Sequence, residues 1–130
     1  MDVAAVEQVL RASGCTMTAQ RRAVLRFLAG NLDHPSAVDI FDAVTRDFPI
    51  ASRATIYNTL ALLEQVGAVR VVRGTDGETR YDPNVDPHHH LLCDACGRLE
   101  DVPAASVTVL RDGRPVPGEV RFSGRCARCG

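Results

Sequence analysis

A chain of 130 residues and 14.0 kDa has room for one domain or for two small ones, and the smaller of two would need a staple. The sequence is 45% hydrophobic, and no apolar run approaches the roughly 20 residues of a membrane span. A membrane protein is therefore not expected. A secreted protein is not expected either, because the N-terminus lacks a signal-peptide pattern, and we predict a cytoplasmic globular protein.

Helical periodicity dominates the first half of the chain. Residues 3–12 are mildly amphipathic, and Thr18 and Ser36 each precede an apolar-periodic segment, as helix N-caps do. These signals predict helices over 3–12, from Thr18 to Ala29, and from Ser36 until Pro49. In the first helix, the apolar residues at helical spacing are Val3, Val6, Val9 and Leu10. In the second, the apolar cover comes from Val24, Leu25, Phe27 and Leu28. In the third, the residues expected to face inward are Val38, Ile40, Phe41 and Val44.

A fourth helix and a hairpin follow. Ser52 caps the helix predicted over Arg53–Val66, and the pattern then alternates like a strand over 68–73. Asp76-Gly77 predicts a tight turn before a second strand at 78–81. Helices followed by a hairpin are the order of a winged helix-turn-helix, in which the helix before the hairpin enters the major groove of DNA. Other small helical bundles have the same periodicity, so this pattern alone leaves DNA binding open.

Residues 82–87 contain two prolines and no periodicity, which predicts a hinge. The expected domains are therefore residues 1–82 and residues 83–130. Short strands are predicted in the second domain at 89–92, 98–102, 106–110 and 119–123, with a turn at Asp112-Gly113.

Two Cys-x-x-Cys pairs, Cys93/Cys96 and Cys126/Cys129, predict a structural metal site. Two such pairs complete a tetrahedral shell of four thiolates, which suits Zn(II) at Zn–S distances of about 2.3 Å. The zinc would staple the small second domain. Disulfides are the alternative, which a cytoplasmic location disfavours. Cys15 lies outside the pairs, and we expect it to be a half-buried residue without a role at the metal site.

Five segments together resemble the ferric uptake regulator family. They are His34-Pro35-Ser36-Ala37, the run from Arg53 to Leu60, Arg80-Tyr81-Asp82, the run from His88 to Gly97, and the run from Gly124 to Cys129. The resemblance covers residues 14–102 and the final strand. It implies an α+β fold, with an N-terminal winged helix-turn-helix followed by a small zinc-stapled α/β dimerisation domain. The broken segment Pro103–Gly118 predicts a shortened helix there.

This resemblance also implies function. It indicates a metal-dependent transcriptional repressor that binds a palindromic double-stranded DNA operator as a homodimer. A regulatory metal, distinct from the zinc, is implied at the hinge, with the ligands His34, Asp82, His88, His90 and Asp101. Imidazole and carboxylate ligands suit Fe(II), Mn(II) or Zn(II). An ion held by both domains would favour the arrangement that completes its shell, as an allosteric switch requires.

The three consecutive histidines divide between two faces. His88 and His90 project from one face of a predicted strand because side chains alternate, and His89 projects from the other. We expect His89 to be solvated or to belong to a further metal site. Only one regulatory site per subunit is expected, since residues 120–124 lack the histidine that an additional site in some relatives uses.

The residue at position 82 indicates which branch of the family this chain resembles. Members that resemble the peroxide-sensing repressors carry Asp at this place, whereas many iron-uptake regulators carry Glu. We therefore predict peroxide sensing through Fe(II)-catalysed oxidation of His34 or His88. A repressor that responds to iron, or to zinc or manganese, is the alternative within the family.

Two other classes of protein are the alternatives to a repressor. A zinc hydrolase could use His88 and His90 as ligands, but the chain has no His-Glu-x-x-His helix. A zinc-stapled adaptor would use the helices for protein contacts. We expect a regulator, and not an enzyme.

The predicted DNA contacts lie at the start of the fourth helix and on nearby arginines. The net charge of −1 gives no general affinity for DNA, but all 15 basic residues are arginines, which suit forked contacts with phosphates and guanine. Arg53, Thr55, Tyr57 and Asn58 are the expected contacts of the recognition helix, with half-buried packing as the alternative for Tyr57. The expected phosphate contacts, which solvated surfaces would explain equally well, are Arg21, Arg22, Arg70 and Arg73.

Overall fold

The computed structural model describes all 130 residues and has the predicted α+β class. The chain divides into two units, one formed by Met1–Arg73 with Glu78–Val85 and the other by Gly74–Gly77 with Asp86–Gly130. All α-helices lie in the first unit, whereas the second is built mainly of strands. No helix reaches both the length and the hydropathy that crossing a membrane requires.

Four capped α-helices make up most of the first unit. They are α1 (Val3–Ala12), α2 (Ala19–Leu28), α3 (Ala37–Asp47) and α4 (Arg53–Gln65). The predicted N-caps Thr18, Ser36 and Ser52 are confirmed, since each side chain accepts a hydrogen bond from a backbone N–H of the first turn. At Ser36 the cap is reciprocal, because the Asp39 carboxylate also accepts from the Ser36 N–H at 3.0 Å.

A single apolar core holds these helices together. Its fully buried members are Leu10, Val24, Leu25, Leu28, Ile40, Ile56 and Leu63. The prediction that Val38 faces inward is wrong, because its side chain is 43% exposed. Val9 is 49% exposed, so the apolar spacing of α1 and α3 extends beyond the face that each helix buries. Thr59 is fully buried instead, and its hydroxyl donates to the Thr55 carbonyl at 2.7 Å, which satisfies the polar group inside the core.

The hairpin completes the predicted winged helix-turn-helix. Strands β1 (Arg70–Arg73) and β2 (Thr79–Asp82) pair antiparallel, with Arg70 opposite Asp82. The sequence predicted that Asp82 would begin the hinge. It is instead the last residue of β2 and is fully buried, because pairing with Arg70 extends the strand by one residue.

The second unit is organised around a three-stranded sheet. Strand β3 (His88–Cys93) is central, antiparallel to β4 (Leu99–Pro103) and parallel to β7 (Arg121–Gly124). A separate short hairpin joins β5 (Leu110–Arg111) to β6 (Arg114–Pro115). At its turn, the φ angles of 51° at Asp112 and 76° at Gly113 are both in the left-handed region, as a type I′ turn requires.

The strand predicted at 106–110 is largely wrong. A 3-10 helix at Ala104–Ser106 follows β4 directly, and strand pairing begins only at Leu110, opposite Pro115. The shortened helix predicted for this segment is therefore a three-residue turn of 3-10 helix. The other three predicted strands of this unit correspond to β3, β4 and β7.

Candidate metal centres and nucleic-acid interface

Four cysteines converge at one end of the three-stranded sheet. Strands β3 and β7 are parallel neighbours with Cys93 opposite Gly124, so the Cys-x-x-Cys turns that follow them leave the sheet together. The sulfur atoms of Cys93, Cys96, Cys126 and Cys129 all lie within 4.8 Å of one another, and those of Cys96 and Cys126 are 3.8 Å apart. A tetrahedron with Zn–S distances of about 2.3 Å has S–S edges of about 3.8 Å. The group fits one zinc ion.

Hydrogen bonds within the turns prepare the cysteines for a cation. The backbone N–H groups of Cys126 and Cys96 lower the pKa of Cys93 to about 6, because they stabilise its thiolate. Cys129 donates its S–H to neighbouring sulfurs, that of Cys126 foremost, which raises the pKa of Cys129 to about 12. One thiolate therefore forms readily at neutral pH, and a bound cation would displace the proton that Cys129 holds. All five cysteines are free thiols.

A second set of ligand atoms lies on one face of the same sheet. His88 and His90 project from β3, and Asp101 of β4 is paired opposite His90. The Nε2 atoms of the two histidines are 3.1 Å apart, and Oδ1 of Asp101 is 3.2 Å from the first and 3.4 Å from the second. Adjacent ligands of one ion are about 3.0–3.4 Å apart when each is about 2.1 Å from it. These three atoms can therefore bind the same ion.

The ring of His88 is held in the orientation that this requires. Its Nδ1 lies 2.6 Å from the backbone carbonyl oxygen of Asp86. Such a contact places the proton on Nδ1 and leaves Nε2 as the ligand atom. The sequence placed His88 and His90 on one face, but nothing in it predicted this carbonyl contact.

A buried imidazole–carboxylate pair forms in the first unit. Nε2 of His34 is 3.3 Å from Oδ2 of Asp82, and both side chains are completely buried. The other carboxylate oxygen of Asp82 accepts from the Asn84 N–H at 2.9 Å, which fixes its orientation. His34 has a φ of 54°, in the left-handed region that residues other than glycine seldom adopt. An ordered pair of ligand side chains in a strained backbone is typical of a functional site.

The expectation that His89 is solvated is wrong. Its side chain projects from the opposite face of β3 as predicted, but it is only 4% exposed. Its Nδ1 accepts a hydrogen bond from the Val120 N–H at 3.0 Å, which joins β3 to the segment before β7. His89 therefore contributes to the packing of the sheet.

The predicted contacts of the recognition helix lie at the exposed start of α4. Arg53, Tyr57 and Asn58 face solvent, and Tyr57 is 41% exposed. The guanidinium of Arg53 lies 4.6 Å from the centroid of the Phe41 ring, which restrains the long side chain while leaving it accessible. Thr55 is half-buried, with its hydroxyl 2.9 Å from that of Ser52.

Four arginines were predicted to contact phosphates. Arg22 donates through Nε to Glu7 at 2.6 Å, and this hydrogen bond lowers the pKa of Glu7 and raises that of Arg22. Arg21 donates to the Thr16 carbonyl at 2.5 Å and lines the same surface depression as Thr55. The other two, Arg70 and Arg73, lie on β1. No local signal in the sequence indicated Glu7 as the partner of Arg22, although both residues lie on predicted helices.

The chain combines a winged helix-turn-helix with four grouped cysteines and with histidine and aspartate side chains that could hold a metal ion. This combination places it in the class of metal-binding winged-helix proteins. The sequence model of the ferric uptake regulator family matches residues 12–115, and the chain belongs to this family. It is 40% identical over 92 residues to the peroxide-responsive repressor PerR of Staphylococcus aureus strain USA300. The matched residues make up 71% of this chain and 62% of that protein. The chain thus spans less than two thirds of the length of the curated relatives it matches.

Solved structures share the fold. PerR from Streptococcus pyogenes is 25% identical with a TM-score of 0.59, and the match covers 98% of this chain and 92% of that one. A zinc uptake regulator, solved in complex with zinc and DNA, is 23% identical with a TM-score of 0.63, over 97% of this chain and 91% of that one. These relatives are regulators rather than enzymes.

Proposed function

We propose that the protein is a metal-dependent repressor that binds a palindromic DNA operator as a cytoplasmic homodimer. The observation that carries the proposal is the spacing of the ligand atoms on His88, His90 and Asp101, which suits a single ion. The exposed start of α4 and the likeness to a regulator solved with DNA support the operator as partner. The likeness to PerR supports repression as the outcome.

The proposed regulatory ion takes ligands from both predicted domains, residues 1–82 and 83–130. His34 and Asp82 would supply one part of its shell, and His88, His90 and Asp101 the other. This mixed set of imidazoles and carboxylates suits Fe(II) or Mn(II), whereas four thiolates suit zinc. Such an ion would favour one domain arrangement over others by its difference in affinity for them, and operator binding would follow metal occupancy.

The proposed DNA contacts combine base reading with phosphate binding. Arg53, Thr55, Tyr57 and Asn58 would enter the major groove on α4. Arg21, Arg70 and Arg73 would bind phosphates, which orients the protein on the duplex. Arg22 would have to exchange the Glu7 carboxylate for a phosphate, so we expect it to contribute least.

Replacing Asn58 with alanine tests this recognition surface. We expect operator affinity to fall about 5- to 100-fold, because a good amide contact with a base discriminates by about 1–3 kcal/mol. Fluorescence anisotropy with an operator duplex measures the loss. Gln65→Ala, an exposed polar residue at the last turn of α4, is the matched control and should bind as the wild type does. Equal losses in the two variants would contradict a recognition role for the start of α4.

We further propose that Fe(II) is the working ion and that peroxide is the signal. The aspartate at position 82 and the 40% identity to a peroxide-responsive repressor support this choice. When bound there, Fe(II) would supply the redox chemistry of peroxide activation. Hydrogen peroxide would transfer one oxygen atom to a carbon of a nearby imidazole and leave as water, so that the imidazole is oxidised and the peroxide reduced. His34 and His88 are the proposed targets, and loss of either ligand would weaken metal binding. Response to iron, zinc or manganese supply is the second candidate within the family.

Operator binding measured separately with Fe(II), Mn(II) and Zn(II), with and without peroxide, distinguishes these functions. We expect all three metals to support binding and peroxide to release only the iron-loaded protein. Mass spectrometry of that sample should find one added oxygen on His34 or His88 and none on His89, which has the same chemistry on the opposite face of β3. Indifference to peroxide with iron bound would instead support metal-supply sensing. Failure to bind an operator under any condition would reject the repressor in favour of a zinc-stapled adaptor or a hydrolase.

A further inference from the structure

We propose that Arg80 is a positioning residue that holds His34 ready for the regulatory ion, an inference that rests on the proposed metal site. Arg80 lies in β2, and its side chain is 25% exposed. Its Nη1 donates a hydrogen bond to the backbone carbonyl oxygen of His34 at 3.2 Å. The two residues are 46 positions apart in the chain, so the contact forms only in the folded unit.

His34 needs such support because of its backbone. Its φ of 54° is unfavourable for a residue with a Cβ atom, and a strained residue persists only where its surroundings hold it. The residues that follow His34 are held by backbone contacts with β2, since the Tyr81 N–H donates to the Pro35 carbonyl at 2.9 Å and Ser36 forms an isolated bridge with Arg80. The guanidinium of Arg80 acts on the His34 peptide itself.

Arg80 is restrained by carboxylates on either side of it. Its Nη1 lies 3.9 Å from Oδ2 of Asp39, and its Nη2 lies 3.7 Å from Oε2 of Glu78. The same Asp39 oxygen accepts from the Ser36 N–H in the capping box of α3. A continuous set of contacts therefore runs from the start of α3 through Arg80 to the His34 carbonyl.

Holding the His34 backbone also fixes the position of its side chain relative to Asp82. With its peptide held, His34 directs Nε2 to within 3.3 Å of Oδ2 of Asp82. Ordering a ligand in advance lowers the entropy cost of binding and so raises affinity. The contact of Arg80 is with the backbone carbonyl of His34, and through it Arg80 would act on metal binding.

Arg80→Met and Arg80→Lys test this role. Methionine keeps an apolar stem but removes every donor, whereas lysine keeps the charge and a donor. In zinc-loaded protein, we expect the Mn(II) dissociation constant to rise about tenfold in Arg80→Met and less in Arg80→Lys, as for other partners that orient metal ligands. Without manganese, the three-bond HN–Hα coupling and carbon shifts of His34 should report the left-handed conformation in the wild type and lose it in Arg80→Met. Arg46→Met, at an exposed position in the last turn of α3, is the control and should match the wild type.

The possible outcomes distinguish failure of the positioning role from failure of the proposed repressor function. Unchanged Mn(II) affinity in Arg80→Met, or a His34 that remains left-handed there, overturns the positioning role and leaves the proposed repressor intact. If the zinc-loaded wild type binds no Mn(II), both the positioning role and the proposed metal-dependent repressor are rejected. If Arg80→Met does not fold, Arg80→Lys decides: weakened Mn(II) binding with unchanged zinc content supports the role, and wild-type affinity together with a shifted His34 backbone rejects it.

Discussion

Cys126→Ser is expected to release the structural zinc and to unfold the second unit of the protein. Cys126 is completely buried, and its sulfur lies 3.8 Å from that of Cys96 within the group of four. Structural zinc sites in small domains contribute about 10–16 kcal/mol at neutral pH, which exceeds what a three-stranded sheet of this size supplies by packing alone. Losing one thiolate removes most of that contribution.

Zinc content by mass spectrometry and amide hydrogen exchange measure the two effects. We expect loss of stoichiometric zinc together with loss of protection in β3, β4 and β7, while the helices of the first unit keep theirs. Cys15→Ser is the matched control, because Cys15 is half-buried outside the group, and it should retain both zinc and protection. A Cys126→Ser protein that keeps zinc and a protected sheet would contradict the proposed staple.

Asp82→Asn is the second change with a large expected effect, and it is aimed at the regulatory ion. The amide has nearly the shape of the carboxylate and can still accept from the Asn84 N–H through its oxygen, so the fold should survive. It removes the negative charge beside His34 in a completely buried position. We expect regulatory-metal affinity to fall at least about tenfold, and metal-dependent operator binding to fall with it.

Isothermal titration with Mn(II), followed by operator binding at a fixed metal concentration, measures both quantities. Asp42→Asn makes the same chemical change at an exposed position on α3 and should leave both unchanged. Zinc content should be that of the wild type in each variant, since the cysteine group is not altered. Wild-type metal affinity in Asp82→Asn would remove Asp82 from the proposed ligands and, with it, the reason for preferring peroxide as the signal.

The site could be anticipated only partly from individual residues. The cysteine spacing predicted the group of four sulfurs directly, because each pair needs only a local turn to bring two sulfurs together. His34 and Asp82 carry no comparable local signal, and only their likeness to a family singled them out. In the structure they meet because β2 passes the segment before α3, with Tyr81 bonded to Pro35. Arg80 belongs to a motif that resembles the family, but nothing in the sequence predicted its contact with His34.

The sequence by itself determined the helix starts, the wing and the group of four cysteines in this protein. These features depend on capping side chains, apolar periodicity and turn residues, which act over a few neighbouring positions. Tertiary structure alone decided that Asp82 ends a strand, that His89 is buried against Val120 and that Arg80 supports His34, across separations of 31 and 46 residues for the last two contacts. Such contacts depend on which distant backbone groups meet once the core has formed, and no local preference of the chain encodes that.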